Sequence, residues 1–241
     1  MNTLHNFIFN VYPYICLAVF LMGSLARFDR DQYTWKSDSS QLLRQGQLRG
    51  GSNLFHAGIL FLFFGHLFGQ LTPHGLYEIF VTASQKQLIA VVAGGVAGGL
   101  CFIGLTMLLH RRLFDPRIRL TSHRTDIAIL IILWVQLVIG LSTLPASLHH
   151  VSDPQTMLRL AEYLQGIVLM QPNAALVAGI EWHFQAHMLL GMTIFLLFPF
   201  SRLVHVWSGF GTLAYLVRPY QMVRARRLNV PAGQSQPRRV G

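Results

Sequence analysis

The chain has 241 residues, 52% of them hydrophobic and 12% charged, about half the roughly 25% charge of an ordinary soluble domain. Mean hydropathy is +0.44 and the pI is about 10.4. This balance excludes a disordered chain, a disulfide-stapled secreted scaffold and an ordinary cytosolic enzyme. The net charge of +10 does not mark a nucleic-acid binder, because the basic residues sit between apolar stretches, where the positive-inside rule accounts for them.

Asp, Glu, Lys and Arg are absent from 1–26, 50–77, 87–110, 127–152 and 182–201. Each gap holds the ~20 apolar residues needed to cross a bilayer. The predicted spans are therefore about 5–26, 52–72, 88–110, 126–145 and 182–207. The fold class is all-α, a five-helix transmembrane bundle, with residues 1–227 as one transmembrane domain.

The first span carries Tyr12 and Tyr14 near its start, where amphipathic rings prefer the headgroup level. No Lys or Arg precedes it, so it lacks the basic n-region of a signal peptide and is read as retained. Ser52 or Asn53 is the expected N-cap of the second span. Pro73 and Pro145 are the expected stops of the second and fourth. Residues 163–180 also lack charge, but a sixth span would move the Arg-rich end to the other side. Residues 154–170 are instead predicted as a short helix on the outer surface, followed by a loop. The fifth span is bracketed by Trp182 and Trp207, with a kink at Pro199. The tail 228–241 is Pro, Gly, Gln and Arg without periodicity and is expected to order only on a partner. Cys16 and Cys101 fall mid-span as inert small hydrophobes. The absence of C-x-x-C-H excludes covalent c-type haem.

Orientation follows from the cations. The first loop (Arg27 to Arg49), the third (Arg111 to Arg124) and the C-terminal end (from Arg202) hold 17 of the 19 Lys and Arg; Lys86 and Arg159 are the others. The N-terminus is therefore outside, loops 27–51 and 111–125 inside, and the C-terminus inside.

Ionisable residues within a span are costly and mark function by default. The second span carries His56 and His66; the fifth carries His183, His187 and His205. Neutral imidazole is an axial ligand for haem iron, and two helices with four histidines suit two b-type haems. The second span runs inside to outside and the fifth outside to inside. Depth therefore pairs His66 with His187 at the outer side and His56 with His205 at the inner. The 10-residue separation on the second span is ~15 Å and the 18-residue separation on the fifth ~27 Å, so opposite tilts and the Pro199 kink must absorb the mismatch. His183 would widen it and is left as an interfacial residue. Gly58, Gly65, Gly69 and Gly191, with Gly94, Gly95, Gly98 and Gly99, offer clearance for a wide flat group, or simply close helix packing. Arg111, Arg112 or Arg202 are candidates to pair with propionates of the inner haem. Lys86, by itself, reads as an interfacial anchor.

Four long strings carry a family likeness: NFIFNVYPYICLAVFLMGSLARFDRDQYTW, SNLFHAGILFLFFGHLFGQLTPH, RRLFDPRIR and HMLLGMTIFLLFPFSRLVHVWS. Over about 1–227 the chain resembles the gamma subunit of membrane-bound respiratory nitrate reductase, a di-haem cytochrome b. The resemblance implies that His56, His66, His187 and His205 ligate the iron of two haem b groups. It implies a quinol site at Gly65, His66 and Lys86, supplied by menaquinol or ubiquinol. It also implies a three-subunit complex in the bacterial cytoplasmic (inner) membrane. There electrons pass from the outer to the inner haem, then to an iron–sulfur beta subunit and a molybdenum-containing alpha subunit docked on the cytoplasmic side. Nitrate reduction itself belongs to another subunit, since this chain has no cysteine cluster for iron–sulfur ligation. An inward electron transfer works against the membrane potential at about 2.3 kcal/mol per 100 mV, so protons released outside store energy. The same design serving a heterodisulfide or sulfite-type reductase is the nearest alternative. A haem-free anchor whose histidines pack helices is another class, and a visible spectrum separates it. A small transporter would need a polar pathway and repeat symmetry.

Overall fold

The computed structural model describes residues 2–30 and 45–207. Residues up to His205 form one compact unit, and Val206 and Trp207 belong to a second. Lys36, Arg44, the C-terminal arginines from Arg218 onward and the tail 228–241 lie outside the described residues. Among the described residues every regular element is helical, and five helices are long and apolar enough to cross a membrane.

Helix α1, Thr3–Arg30, contains a π-helical turn at Phe7–Val11. Helix α2 is Gln45–Leu71, and α3 is a single turn, His74–Tyr77. Helix α4, Ala83–Phe114, starts on a capping box in which Thr82 and Gln85 each bond the other's backbone N–H, satisfying two donors that a helix start leaves open. Helix α5, Pro116–Thr121, is capped by Asp115. Helix α6 is Arg124–His149, α7 is Gln155–Val168 and α8 is Trp182–Leu197.

The packing order is α2 on α4, α4 on α6, α6 on α8 and α8 on α1, with α7 against α2. The α2–α4 contact is tight because a Cβ on Gly58 would stand 2.6 Å from Cys101 N and 2.7 Å from Ala97 O. Cys16 and Cys101 are free and buried, as their mid-span positions implied.

Helix α7 is the short helix predicted at the outer surface, and it works as a strap. Tyr163, fully buried, donates to Phe9 O at 2.7 Å, and Tyr14 donates to Ile167 O at 3.2 Å. On its other side Gln165 Nε2 donates to Gln70 O at 2.9 Å and Thr72 O at 3.3 Å, at the end of α2. The loop that follows is pinned to α1 through Asn10 Oδ1, which accepts from Ala174 N at 2.7 Å, and His5, which donates to Ala174 O at 3.0 Å.

Three predicted boundaries are corrected. Helix α2 is already formed at Gln45, so neither Ser52 nor Asn53 is an N-cap. The low-charge run at 45–53 extends the helix instead. Pro145 lies inside α6. Proline forfeits its own N–H bond, a loss that transmembrane helices tolerate; the helix runs on past it to His149. The fifth span is not a kinked helix through 207. Its α-helical run stops at Leu197, followed by 3-10 turns at Phe198–Phe200 and Arg202–Val204 with Ser201 extended between them.

Candidate functional site

The break after Leu197 positions the site. From His187 to Leu197 the chain advances ten residues, a rise of ~15 Å, matching the ~15 Å from His56 to His66 on α2. The segment 198–205, two 3-10 turns around an extended Ser201, then carries His205 to His56, with ring centroids 6.3 Å apart. Two of its carbonyls are bonded by Arg27 of α1, which donates to Pro199 O at 2.7 Å and Ser201 O at 2.9 Å. Gly23 makes room for this: a Cβ there would lie 2.8 Å from Pro199 Cγ.

The histidines meet in the pairs that their depths predicted. The His66 and His187 ring centroids are 6.2 Å apart, and those of His56 and His205 are 6.3 Å apart. All four rings share one further feature. His56 Nδ1 lies 2.8 Å from Ser52 O, His66 Nδ1 2.7 Å from Leu62 O, His187 Nδ1 3.2 Å from Gln136 O and His205 Nδ1 2.6 Å from Arg202 O. A carbonyl only accepts, so Nδ1 donates and Nε2 keeps its lone pair. Metal-binding histidines are oriented this way, with the second nitrogen anchored so that the first is held as a ligand. Two imidazoles bound through Nε2 at about 2 Å from one metal have centroids roughly 6 Å apart. Among the described residues no three His, Cys, Asp or Glu gather as a metal cluster. The donor sets are pairs, suited to an iron whose other positions a porphyrin fills.

The glycines divide by what stands beside them. Gly65 and Gly69 on α2, and Gly94 and Gly99 on α4, have no atom within 4 Å of where a Cβ would be. Gly58 and Gly98 are close-packing positions, a Gly98 Cβ standing 2.7 Å from Leu141 Cδ2, and Gly95 lies against Leu144. Gly191 does not clear space toward α2: its missing Cβ would meet Gln136 Nε2 of α6 at 3.3 Å.

Lys86 lies in the first turn of α4, at the same end of the α2–α4 pair as Gly65 and His66. Its Nζ sits 3.5 Å from the centroid of the Tyr77 ring, a cation–π contact. The Tyr77 hydroxyl is buried without a hydrogen-bond partner. His183 stacks on Trp182 at 4.2 Å, with Glu181 at 3.7 Å, and is not part of either pair.

At the opposite end Arg112 and Arg202 share one carboxylate. Asp126 Oδ2 is 3.2 Å from Arg112 Nη1 and 3.6 Å from Arg202 Nη1, and Arg112 also donates to Ser122 Oγ. Arg111 and Arg112 are buried. Sequence reading missed Gln136, Asp126 and Arg27. Gln136 was visible as a lone amide inside an apolar span, and Asp126 as the acid that opens the fourth.

A family profile described as nitrate reductase gamma subunit matches residues 5–226. The respiratory nitrate reductase 1 gamma chain of Escherichia coli K12 is 48% identical over 227 residues, covering 94% of this chain and all of that protein. The respiratory nitrate reductase 2 gamma chain of the same organism is 48% identical over 93% of this chain and 98% of its own length. The nitrate reductase gamma chain of Bacillus subtilis is 36% identical over 91% and 97%. With five apolar helices and end-to-end likeness to these proteins, the chain belongs to the nitrate reductase gamma subunit family, a multi-pass inner-membrane component of a multi-subunit respiratory oxidoreductase.

Proposed function

We propose that the chain is the membrane-anchoring di-haem b subunit of that complex, with its N-terminus outside and its C-terminus inside. His66 and His187 hold one haem in the outer half of the bundle, and His56 and His205 hold the second in the inner half. Bound haem supplies a one-electron iron couple at each position. The observation that carries this reading is the two pairs of imidazoles, with ring centroids 6.2 and 6.3 Å apart and every Nδ1 anchored on a carbonyl.

Quinol oxidation fits the outer end, at Gly65, His66 and Lys86. There Gly65 has open space beside it, and the Lys86 ammonium can donate to a quinol oxygen and stabilise the negative charge left as a hydroxyl proton departs. Each quinol becomes quinone, releasing two protons outward. Its two electrons go inward to the iron–sulfur beta subunit and the molybdenum-containing alpha subunit, which reduces nitrate. The basic inner loops favour docking of those subunits through arginine-mediated charge pairs.

The test is the haem-to-protein ratio of the purified complex. Two non-covalent haems per gamma chain are expected, with a b-type band on reduction and complete extraction by acidified acetone. One haem, none, or haem that resists extraction overturns the reading.

A further inference from the structure

Helix α6 contributes none of the four paired histidines, yet it touches one of them at four points. Gln136 O faces His187 Nδ1 at 3.2 Å, and Gln136 Nε2 donates to His187 O at 3.0 Å and lies 3.5 Å from His187 Nε2. One turn on, a Cβ at Gly140 would stand 2.7 Å from His187 Cε1 and 3.1 Å from Nδ1. Gly191, one turn after His187 on α8, leaves the room that the Gln136 amide occupies. The other three histidines take their carbonyl from their own local chain, three or four residues upstream. His187 alone among the four is anchored by a different helix.

We propose that Gln136 and Gly140 of α6 are positioning residues for the outer axial ligand His187, fixing the plane and depth of its ring. The inference rests on the di-haem reading above. The carbonyl of Gln136 sets which nitrogen of the ring is free, and its side-chain amide ties the His187 backbone to α6. Gly140 lets the imidazole come up against the α6 backbone, where any Cβ would push it off. A ring packed against a helix and bonded through Nδ1 cannot rotate about its Cβ–Cγ bond without losing both packing and hydrogen bond. Orientation and the strength of the Nδ1 hydrogen bond tune a metal held through the opposite nitrogen, so the outer haem's spectrum and potential report on α6. The inner haem, held by His56 and His205, serves as an internal reference in the same molecule.

The experiment uses the full complex in membranes. Haem content, low-temperature electron paramagnetic resonance and redox titration of the two b components are measured for Gly140→Ala, Gln136→Leu and Gly75→Ala. In Gly140→Ala the outer component is lost or shifted in signal and midpoint, while the inner keeps both. In Gln136→Leu two haems remain and only the outer midpoint moves. Gly75→Ala, in the exposed turn His74–Tyr77 where a new methyl has no atom within 4 Å, leaves both unchanged. Parental signals and midpoints for both haems in Gly140→Ala overturn the proposal and leave the di-haem reading standing. A parent complex without two haems overturns the di-haem reading itself. Should Gly140→Ala fail to insert into the membrane, Gln136→Leu decides. An unmoved outer midpoint there, or an equal shift of both, refutes the positioning role.

Discussion

Asp126→Asn isolates how the inner ligand is held. The carboxylate is 8% exposed and lies 3.2 and 3.6 Å from the Arg112 and Arg202 guanidiniums. At an effective dielectric of about 20 each contact is worth roughly 5 kcal/mol of Coulomb attraction, largely offset by desolvation. Asparagine keeps the shape and one acceptor oxygen but removes the charge. It leaves two guanidiniums, with side chains 11% and 17% exposed, without that counter-charge. Breaking a buried pair in this way costs about 3–5 kcal/mol. The Arg202 carbonyl is the acceptor for His205 Nδ1 at 2.6 Å, so removing the carboxylate that faces its side chain disturbs the residue that anchors one of the four histidines. If the whole penalty fell on the inner site, haem affinity there would drop by roughly two to four orders of magnitude, since about 1.4 kcal/mol is tenfold. The assay is haem content and redox titration of both b components in membranes, with heating to compare haem release. Loss or early release of the inner haem, with the outer unchanged, is the expected result. Asp126→Glu should recover part of it. Two haems with parental midpoints and parental heat stability in Asp126→Asn would refute the link from carboxylate to ligand.

Other outcomes follow from the same geometry. His66→Ala and His187→Ala should lose the outer haem and His56→Ala and His205→Ala the inner, so the spectra of the four variants fall into two groups; loss of a haem in His183→Ala but not in His187→Ala would contradict the assignment. Lys86→Ala should retain both haems but lose most quinol-driven haem reduction, while a small artificial donor to the soluble subunits still supports nitrate reduction; normal quinol oxidation returns Lys86 to an anchor over Tyr77. Gly58→Ala places a Cβ 2.6 Å from a backbone nitrogen of α4, an overpacking cost of about 1–3 kcal/mol, whereas Gly75→Ala meets open space. A lower thermal midpoint in detergent for the first and none for the second is expected.

The histidine pairing was legible because antiparallel spans convert sequence position into depth, and depth alone matches His66 to His187 and His56 to His205. The mismatch in their separations was equally legible, but its resolution was not. A proline in an apolar run looks the same whether it bends a helix, as expected at Pro199, breaks it, as it does there, or sits inside it, as Pro145 does. The difference lies in whether distant partners such as Arg27 take up the freed carbonyls, and those partners are 172 and 174 residues away. Glycines were ambiguous for a similar reason. Gly58 and Gly65 share a helix and a residue type, yet one lies against α4 and the other beside open space. Local pattern carries helix length and depth; it does not carry which neighbour stands on each face.

The pairing also fixes an order of assembly. His56 and His66 lie on the second span and their partners on the last, so neither facing pair exists until the fifth span is in the membrane. Ribosomal synthesis delivers about 5–20 residues per second, which sets the emergence of His187 seconds after that of His66. Haem capture by both ligands is therefore a late event in biogenesis, after the α2–α4–α6 side has had time to pack. A chain truncated before Trp182 should insert its early spans yet hold neither haem in bis-histidine form, and the cofactor would act as the last clasp between the first-made and last-made parts of the bundle.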